Sequence, residues 1–348
     1  MSGPEAYDYE LREDRIASHP MRPRDHARLL VLRRDGSAIE HRTVRDLPDL
    51  LAPGDRLVIN ETRVIPARLI GRVERSQREI EVLLVRESAP RRWIAWCGPM
   101  RALRPGDRIL FERSDTIARF EGRSGEAADL SFEGDVASLM ALRGHVPLPP
   151  YIGRVDGPED RDDYQTVFAR VPGAIAAPTA GLHFTPELLE RLEARGIDLS
   201  RILLHVGPGT FRPLRAADLS EHRVEEEFFS IGADAAREIA ETRARGGRCV
   251  AVGTTCVRAL ETWAREEPTE TRPATAARPL EGWTDLTIVP PWTFRAVDAL
   301  MTNFHLPRSS LLVLVCAFAG RDKVLAAYAE AIEDGYRFYS YGDAMLIL

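Results

Sequence analysis

Three histidines lie where a short apolar segment of the chain runs into a loop. They are His183, His205 and His305. Imidazole titrates near neutral pH, so histidine is the side chain best suited to general acid–base chemistry there. A single histidine among apolar residues is usually a hydrogen-bonded part of the core. Three of them at similar positions favour a site that moves protons, with His183 as the first candidate and His205 and His305 next.

Small and polar residues surround these histidines, and a fourth segment, CVAVGTTCV, has the same composition without a histidine. Glycine lets a ligand approach the backbone closely, while threonine and asparagine side chains donate and accept hydrogen bonds. These residue types therefore predict a ligand-binding site. Its candidate residues are Thr179, Gly181, Gly207, Gly209, Thr210, Gly253, Thr254, Thr255 and Asn303.

The segment before His183 reads GAIAAPTAGLHFT and leads directly into a predicted helix. Thr185 is a favourable N-cap residue, and Pro186 fits the first helical position. Gly196 ends the helix. A helix that only packs against the core does not need the sequence Pro-Thr-Ala-Gly before it. We therefore interpret these small residues as a place where a ligand can approach the backbone.

Strands and helices alternate over residues 149–348, which predicts an α/β sheet. Two N-terminal runs, RLLVLRR and DRLVINET, are expected to join that sheet. The remaining predicted elements are strands at ILLHV, RCVAV, LTIVP and ALMTNFH, helices near 233–245, from about Thr255 and over SSLLVLVCAFAG, and a last strand that carries the alternating aromatics of YRFYSYGDAMLIL. Since ligands of α/β proteins bind at the carboxyl ends of strands, we expect the four loop segments to form one pocket.

Residues 63–148 have a different pattern. Short β-type runs recur about every ten residues, with Gly, Pro, Asp or Ser between them, which is typical of a small barrel or sandwich. The runs are ARLIGRV, EIEVLLV, RWIAWC, DRILF, TIARF and ADLSF. We therefore predict an inserted small antiparallel β-barrel domain over residues 63–148, and a larger α/β domain made of residues 1–62 and 149–348.

Composition excludes several classes of protein. The chain has 348 residues, is 29% charged and carries a formal net charge of −6, which argues against unselective coating of nucleic acid. No apolar run approaches the ~20 residues of a membrane span, so we expect a cytoplasmic protein with no membrane partner.

The four cysteines lack metal-site spacing, and we expect buried free thiols. Neither a Gly-x-Ser-x-Gly elbow nor a phosphate-binding P-loop occurs, which disfavours serine hydrolases and P-loop nucleotide hydrolases.

Longer motifs carry a specific likeness. They are NETRVIPARL, GHVPLPPYI, YQTVFA, GAIAAPTAGLHF, LHVGPGTF, VAVGTTCVRALE, ALMTNFHLPRSSLL and YRFYSYGDAMLI. Together they resemble the S-adenosylmethionine:tRNA ribosyltransferase-isomerase family of queuosine biosynthesis, from about Tyr9 to the C-terminus. The resemblance implies an α/β domain with an inserted β-barrel, which agrees with the division above.

The resemblance also implies a reaction. The ribosyl part of S-adenosylmethionine would be transferred to 7-aminomethyl-7-deazaguanine at the tRNA wobble position and isomerised. Epoxyqueuosine-tRNA would form, and adenine and methionine would be released. S-adenosylmethionine would therefore be a substrate, with no separate cofactor and no metal. The expected partner is the tRNA anticodon loop, and the expected oligomeric state is a monomer.

Further site residues follow from the same resemblance. They are His222 and Glu227 as catalytic residues, and Phe184, Phe211, Arg258 and Asp343 in substrate binding. Arg63 and Arg68 belong to a stretch, residues 61–110, that holds eleven arginines, and they are candidates to contact tRNA phosphates. A solvated sheet face is the alternative interpretation of these arginines. One departure concerns Glu225, which stands where the family commonly has histidine.

Two other functions remain open at the level of the sequence. A non-catalytic RNA-binding paralogue of the same fold would tolerate a change such as Glu225. A metal hydrolase would use the histidines as ligands, although no His-x-x-x-His helix or His–carboxylate pair at ligand spacing is present. Release of adenine from S-adenosylmethionine distinguishes the family reaction from both.

Overall fold

The structure is a computed structural model that describes residues 3–211, 219, 223–266 and 277–348. Its described strands are β1 (Arg28–Leu32), β2 (Glu40–Thr43), β3 (Arg56–Asn60), β4 (Thr62–Val64), β5 (Arg68–Val73), β6 (Glu79–Ala89), β7 (Arg92–Gly98), β8 (Arg108–Phe111), β9 (Ile117–Ser124), β10 (Ala127–Glu133), β11 (Val171–Ala174), β12 (Asp198–Leu204), β13 (Glu227–Ile231), β14 (Cys249–Val252), β15 (Leu280–Thr284), β16 (Ala299–Asn303) and β17 (Ala344–Ile347). The described α-helices are α1 (Leu47–Leu50), α2 (Val136–Arg143), α3 (Asp160–Asp163), α4 (Pro186–Ala194), α5 (Ala233–Ala244), α6 (Thr254–Glu266), α7 (Ser310–Ala319) and α8 (Arg321–Glu333).

A mixed sheet of nine strands organises the larger part of the chain, in the order β15-β13-β12-β3-β14-β16-β17-β1-β2. The four central strands, β12, β3, β14 and β16, run parallel to one another. Strand β17 runs antiparallel to β16 and pairs Ala344 with Asn303. The carboxyl ends of the central strands therefore meet at one edge, where the start of β17 joins them.

Two apolar cores cover the faces of this sheet. Alternate residues of each strand point to opposite faces, so Leu57 and Ile59 belong to one core and Val58 to the other. Helices α5, α6, α7 and α8 contribute to the core around Val58, while α1 and α4 contribute to the second core. Because both faces are buried, β14 and the middle of β3 are apolar throughout.

A closed barrel of six antiparallel strands forms a separate layer, in the order β10-β7-β6-β5-β8-β9. Inward-facing residues alternate with exposed ones, as in β5, and fill the barrel with an apolar core of its own. A short parallel pair, β4 with β11, connects the chain on either side of the barrel. The prediction of an α/β fold with an antiparallel barrel is confirmed, and the exact domain boundaries stay a prediction.

Two predicted strands differ from the structure. The apolar run LTIVP, residues 286–290, is not a strand, and the strand next to β13 is formed earlier, by β15. The aromatic residues Tyr336, Phe338 and Tyr339 precede the last strand, β17, and are buried in the core. Both errors arise because the apolar pattern of a segment does not show whether that segment pairs with another strand in the folded protein. The segment REEPTETRPATAARPLEG, residues 265–282, is rich in Pro, Thr, Ala and Glu and predicts a loop, and part of it lies outside the described residues.

Two smaller predictions concern the cysteines and membrane spans. All four cysteines are free thiols, and Cys249, Cys256 and Cys316 are buried, while Cys97 is partly exposed. Across the described residues, none of the helices has the length and apolar character that crossing a bilayer requires.

Candidate functional site

The strand ends meet around an open pocket of about 690 Å³, which we name the strand-end pocket. Its walls come from the loop after β11, the ends of β12, β14 and β16, and the loop before β17. Of the residues proposed from the sequence, six line it: Thr179, Gly253, Thr254, Thr255, Asn303 and His305. These six residues come from three of the four predicted loop segments, and Val206 of the fourth segment also lines the pocket.

Two hydroxyl groups of this pocket have no oxygen or nitrogen hydrogen-bond partner among the described residues. They are Thr255 Oγ1 and Tyr339 Oη, and both atoms are buried. A buried polar atom without a partner is costly, and most are satisfied in folded proteins. Tyr339 also has a φ of 72°, a backbone region that non-glycine residues rarely adopt. Unpaired hydroxyls and local strain in a cavity mark a place where a polar ligand binds.

An amide network fixes the inner wall of the pocket. Asn303 Nδ2 donates to His183 Nε2 over 3.1 Å and to the Tyr339 carbonyl oxygen over 3.1 Å. Asn303 Oδ1 accepts from Thr179 Oγ1 over 2.9 Å. All three hydrogen bonds hold the side-chain amide in one orientation, because its donors and its acceptor have different partners. With Nε2 accepting, the neutral His183 ring carries its proton on Nδ1.

His183 itself lies behind this wall. It is 4% exposed, and burial lowers its pKa from 6.5 to about 3, with smaller contributions from Arg337 and Arg24. The ring is therefore neutral at pH 7. Its pKa lies well below the near-neutral value that suits a general acid or base at that pH. Asn303, rather than His183, lines the strand-end pocket.

His305 does line the strand-end pocket, at the end of β16. Its Nε2 pairs with Thr302 Oγ1 over 2.8 Å, and its backbone N–H donates to the Tyr328 hydroxyl over 3.0 Å. Burial lowers the pKa of His305 to about 3. At pH 7 the His305 ring is thus a neutral hydrogen-bonding group. Its pKa, like that of His183, lies below the near-neutral value expected from the sequence.

His205 lies in a second cavity, of about 660 Å³, between the barrel and the edge of the large sheet. Its Nδ1 pairs with Thr62 Oγ1 over 2.8 Å, and its ring stacks on Phe228 with centroids 5.9 Å apart. Partial burial lowers the pKa of His205. Val206, the next residue, lines both this cavity and the strand-end pocket. His183, His205 and His305 therefore do not share one pocket.

Glu227 and Arg258 form a buried ion pair beside Val206. The Arg258 guanidinium donates to Glu227 Oε2 and to two backbone carbonyl oxygens, those of Thr284 and Leu286. Glu227 Oε1 accepts from the Gly207 N–H over 2.7 Å. Both side chains are thus occupied by protein partners, and in this state they hold the Gly207 backbone in place instead of presenting free charges.

Three of the proposed ligand-binding residues have structural contacts instead. Phe184 is fully buried and packs edge-on against Phe168. A Cβ added to Gly181 would lie 2.8 Å from Phe168 Cζ, so Gly181 admits a neighbouring ring and not a ligand. Asp343 accepts backbone N–H bonds from Arg28 and Arg337, which ties β17 to β1. In this structure other parts of the chain contact all three residues, and their role in ligand binding stays a prediction.

Some of the proposed residues fall where the structure gives no side-chain description. His222 lies outside the described residues. Thr210 and Phe211 close a short 3-10 helix, Pro208–Phe211, and their side chains also lie outside the described part. Gly209 is described, and a Cβ there would lie 3.0 Å from Glu225 Cδ, so the glycine lets Glu225 approach the backbone.

The two arginines proposed for tRNA lie at different places. Arg63 is exposed on β4. Arg68, on β5, pairs with Glu81 at 3.0 Å and with Asp156 at 3.4 Å. Two carboxylates thus neutralise the Arg68 guanidinium, and a phosphate would have to displace them.

Sequence reasoning missed several aromatic residues that line the two cavities. Tyr151 and Tyr339 line the strand-end pocket with ring centroids 4.4 Å apart, and Trp93, Phe228 and Trp283 line the second cavity. Tyr339 belongs to the C-terminal aromatic run that was interpreted as a strand. In the sequence, the signal for such a surface is a tryptophan beside turn-forming residues, as Trp283 is in GWTD. Within the described part of the chain, no group of three or more His, Cys, Asp or Glu side chains is arranged to hold a metal ion.

Together, the α/β sheet with a pocket at its strand ends and the antiparallel barrel define a ligand-binding α/β protein with a barrel beside its site. A family model described as queuosine biosynthesis protein matches residues 4–347. A Symbiobacterium thermophilum protein named S-adenosylmethionine:tRNA ribosyltransferase-isomerase is 50% identical over 98% of both chains. A Thermus thermophilus protein of the same name is 50% identical over 100% of both chains.

A solved structure agrees with these relatives. The crystal structure of an S-adenosylmethionine tRNA ribosyltransferase from Thermotoga maritima is 39% identical, with a TM-score of 0.56, and the match covers 99% of this chain and 100% of that one. The chain belongs to the queuosine biosynthesis protein family.

Proposed function

We propose that this protein is an S-adenosylmethionine:tRNA ribosyltransferase-isomerase. It transfers the ribosyl part of S-adenosylmethionine to 7-aminomethyl-7-deazaguanine at the tRNA wobble position and isomerises it to epoxyqueuosine. Adenine and methionine leave. Full-length relatives that carry this enzyme name, at 50% identity, support the proposal, and they favour a catalytic enzyme over a non-catalytic RNA-binding paralogue.

The observation that carries the proposal is the chemistry of the strand-end pocket. Its described lining contains no Asp, Glu, Lys or Arg side chain. The tyrosine rings of Tyr151 and Tyr339 lie there, and aromatic faces attract a cation such as a sulfonium. His305 is neutral because burial lowers its pKa to about 3, so it does not repel that charge. An apolar, aromatic pocket with a neutral histidine suits the adenosyl sulfonium group.

The unpaired hydroxyls supply the polar part of recognition. Thr255 Oγ1 and Tyr339 Oη are buried in the pocket without oxygen or nitrogen partners among the described residues. The adenine and ribose groups of S-adenosylmethionine offer both donors and acceptors for them. We assign Tyr339 to substrate binding, together with Thr179, Thr255 and Asn303, which the sequence already proposed for that role. His305, which the sequence proposed as a catalytic residue, also lines the pocket. His183 becomes a positioning residue, since it acts on the pocket through Asn303.

Several finer statements belong to the same proposal. S-adenosylmethionine is consumed as a substrate, and no separate cofactor takes part. The RNA partner is the anticodon loop, the enzyme is a monomer, and it works in the cytoplasm. Of His183, His205 and His305, His205 is the one whose ring is only partly buried, and we assign it the role of accepting a proton.

The reaction itself is the test. Purified protein, S-adenosylmethionine and tRNA with 7-aminomethyl-7-deazaguanine at the wobble position should release adenine in proportion to the modified tRNA formed. The matched control is the same tRNA with guanine at that position, which lacks the attacking amine and should release none. If the aminomethyl tRNA releases no adenine while S-adenosylmethionine binds, the proposed function is wrong.

A further inference from the structure

The second cavity has properties that the strand-end pocket lacks, and we name it the aromatic cleft. It is bounded by β6 and β7 of the barrel on one side, and by β13, β15 and the residues after β12 on the other. Its volume is about 660 Å³, and it opens to solvent. The cleft therefore joins the barrel to the part of the large sheet that carries His205 and Glu227.

A continuous aromatic surface forms one wall. Phe228 and Trp283 are opposite residues of the antiparallel pair β13 and β15, and their ring centroids are 5.8 Å apart in an edge-on arrangement. The His205 ring also stacks on Phe228. Trp283 is 51% exposed, whereas most large apolar side chains of the protein are buried. An exposed aromatic wall in a cleft is the kind of surface on which an unpaired nucleobase stacks.

Several polar groups of the cleft match the edge of a guanine-type base, and they lie beside Arg86, whose guanidinium is over the Trp283 ring. Trp93 Nε1 is a buried donor without a partner among the described residues, and a base carbonyl oxygen would accept from it. The carboxylates of Glu87 and Glu226 also line the cleft, and both residues are exposed. Carboxylates accept the N–H groups of a guanine edge and attract an ammonium group. An aminomethyl-deazaguanine presents both of these donors.

The cleft also adjoins the strand-end pocket. Val206 lines both cavities, and its neighbours His205 and Gly207 line the aromatic cleft. A base in the cleft and a sulfonium substrate in the pocket would therefore lie on two sides of one short segment. An enzyme that acts on a base must first turn it out of its stack, and it needs a surface to receive that base.

We propose that the aromatic cleft binds the wobble base of the tRNA, stacked on Trp283 and Phe228, with Trp93 and Glu226 contacting its polar edge. This inference rests on the proposed function, because it names where the second substrate of that reaction binds. The barrel then contributes directly to base recognition through β6 and β7.

The test is RNA binding without S-adenosylmethionine, so that no turnover is needed. The probes are two synthetic anticodon stem-loops, one with 7-aminomethyl-7-deazaguanine at the wobble position and one with an abasic site there. Wild-type protein should bind the first more tightly. Trp283→Ala should weaken binding of the first stem-loop by roughly fivefold to a hundredfold, because stacking on one base is worth about that factor, and should leave the abasic stem-loop unchanged.

A matched variant controls for loss of an exposed apolar side chain. Leu142, on α2, is 73% exposed, and Leu142→Ala should bind both stem-loops as wild type does. Thermal unfolding and S-adenosylmethionine affinity of Trp283→Ala should equal those of the wild-type protein. The inference is overturned if Trp283→Ala binds the modified stem-loop as tightly as wild type, or if it weakens both stem-loops equally.

The outcomes separate this inference from the proposed function. If wild-type protein releases adenine from the modified tRNA but Trp283→Ala has an unchanged KM for it, the reaction stands and the cleft is not the base site. If wild-type protein releases no adenine, the proposed function fails, whatever the stem-loop binding shows. In either case, the assignment of the wobble base to the aromatic cleft is supported if wild-type protein prefers the modified stem-loop and Trp283→Ala abolishes that preference.

Discussion

The side-chain amide of Asn303 lies between His183 and the strand-end pocket. It donates to His183 Nε2 over 3.1 Å and accepts from Thr179 Oγ1 over 2.9 Å, so it links the end of β16 to the loop before α4. Because the amide satisfies both partners at once, the orientation of one side chain fixes two others. His183 supports the pocket through this amide and does not line it.

Replacing the amide tests this link. Asn303→Asp keeps the shape of the side chain but cannot donate to the Tyr339 carbonyl oxygen, which then loses this partner. We expect the variant to lose about 1–3 kcal/mol of unfolding free energy, measured by urea denaturation at pH 7. S-adenosylmethionine affinity, measured by calorimetry, should fall as well.

Thr179→Val is the control for this experiment, because it removes one hydrogen bond to Asn303 and leaves the contact with His183. It should cost about 1 kcal/mol. An Asn303→Asp protein as stable as wild type would contradict the fixed orientation of the amide.

Acid should destabilise the protein through its buried histidines. Burial lowers the pKa of His183 to about 3, from 6.5 in the unfolded chain, so below pH 6.5 the unfolded state binds the extra proton. The contribution of His183 to stability is complete above pH 6.5 and is lost as the pH falls toward 3. Urea denaturation between pH 6.5 and 4.5 should show the loss, and His183→Gln should flatten the slope by about 1.4 kcal/mol per pH unit.

The control is His19→Gln, which makes the same substitution at an exposed histidine. His305 is also buried, with its pKa lowered to about 3, so the slope of the His183 variant should not vanish. An unchanged slope in His183→Gln would mean that this ring is not neutral in the folded protein.

The buried pair of Glu227 and Arg258 should be costly to break from either side. Arg258→Ala leaves the Glu227 carboxylate buried without its guanidinium partner, and a loss of about 3–5 kcal/mol is expected by urea denaturation. Glu227→Ala should cost a similar amount because it leaves a buried guanidinium.

A double variant, Glu227→Leu with Arg258→Met, removes both charges and should recover most of that stability. If either single variant loses less than about 1 kcal/mol, the pair is solvated and does not hold the Gly207 backbone.

Two tyrosines that differ in their hydrogen bonds should respond in opposite ways. Tyr339 Oη has no partner among the described residues, so Tyr339→Phe should leave stability unchanged or raise it. It should weaken S-adenosylmethionine binding by about 0.5–1.5 kcal/mol, roughly twofold to tenfold, measured by calorimetry.

Tyr328 is the matched control, because its buried hydroxyl accepts from the His305 backbone N–H over 3.0 Å. Tyr328→Phe should lose about 1–3 kcal/mol of unfolding free energy. If Tyr339→Phe destabilises the protein as much as Tyr328→Phe does, the Tyr339 hydroxyl is satisfied within the protein and is not reserved for a ligand.

Much of the fold could be predicted from local pattern. The six runs of the barrel alternate apolar and polar residues, and each became one of the strands β5 to β10. The capping pattern of Thr185 and Pro186 correctly placed the start of α4, where Thr185 accepts from the Leu188 N–H. Such features depend on neighbours within one turn or one strand. The run LTIVP failed because strand formation there depends on a partner, and β13 pairs with β15 instead.

The candidate site divides in the same way. The sequence by itself determined which segments end strands, and hence that Gly253, Asn303 and His305 would lie at one edge of the sheet. Only the tertiary structure decided which side chains face open space. Phe168 covers Gly181, and Asn303 separates His183 from the pocket, because residues distant in the chain pack over them. Burial and hydrogen bonding between such distant residues also set the pKa of each histidine, and no local spacing encodes them.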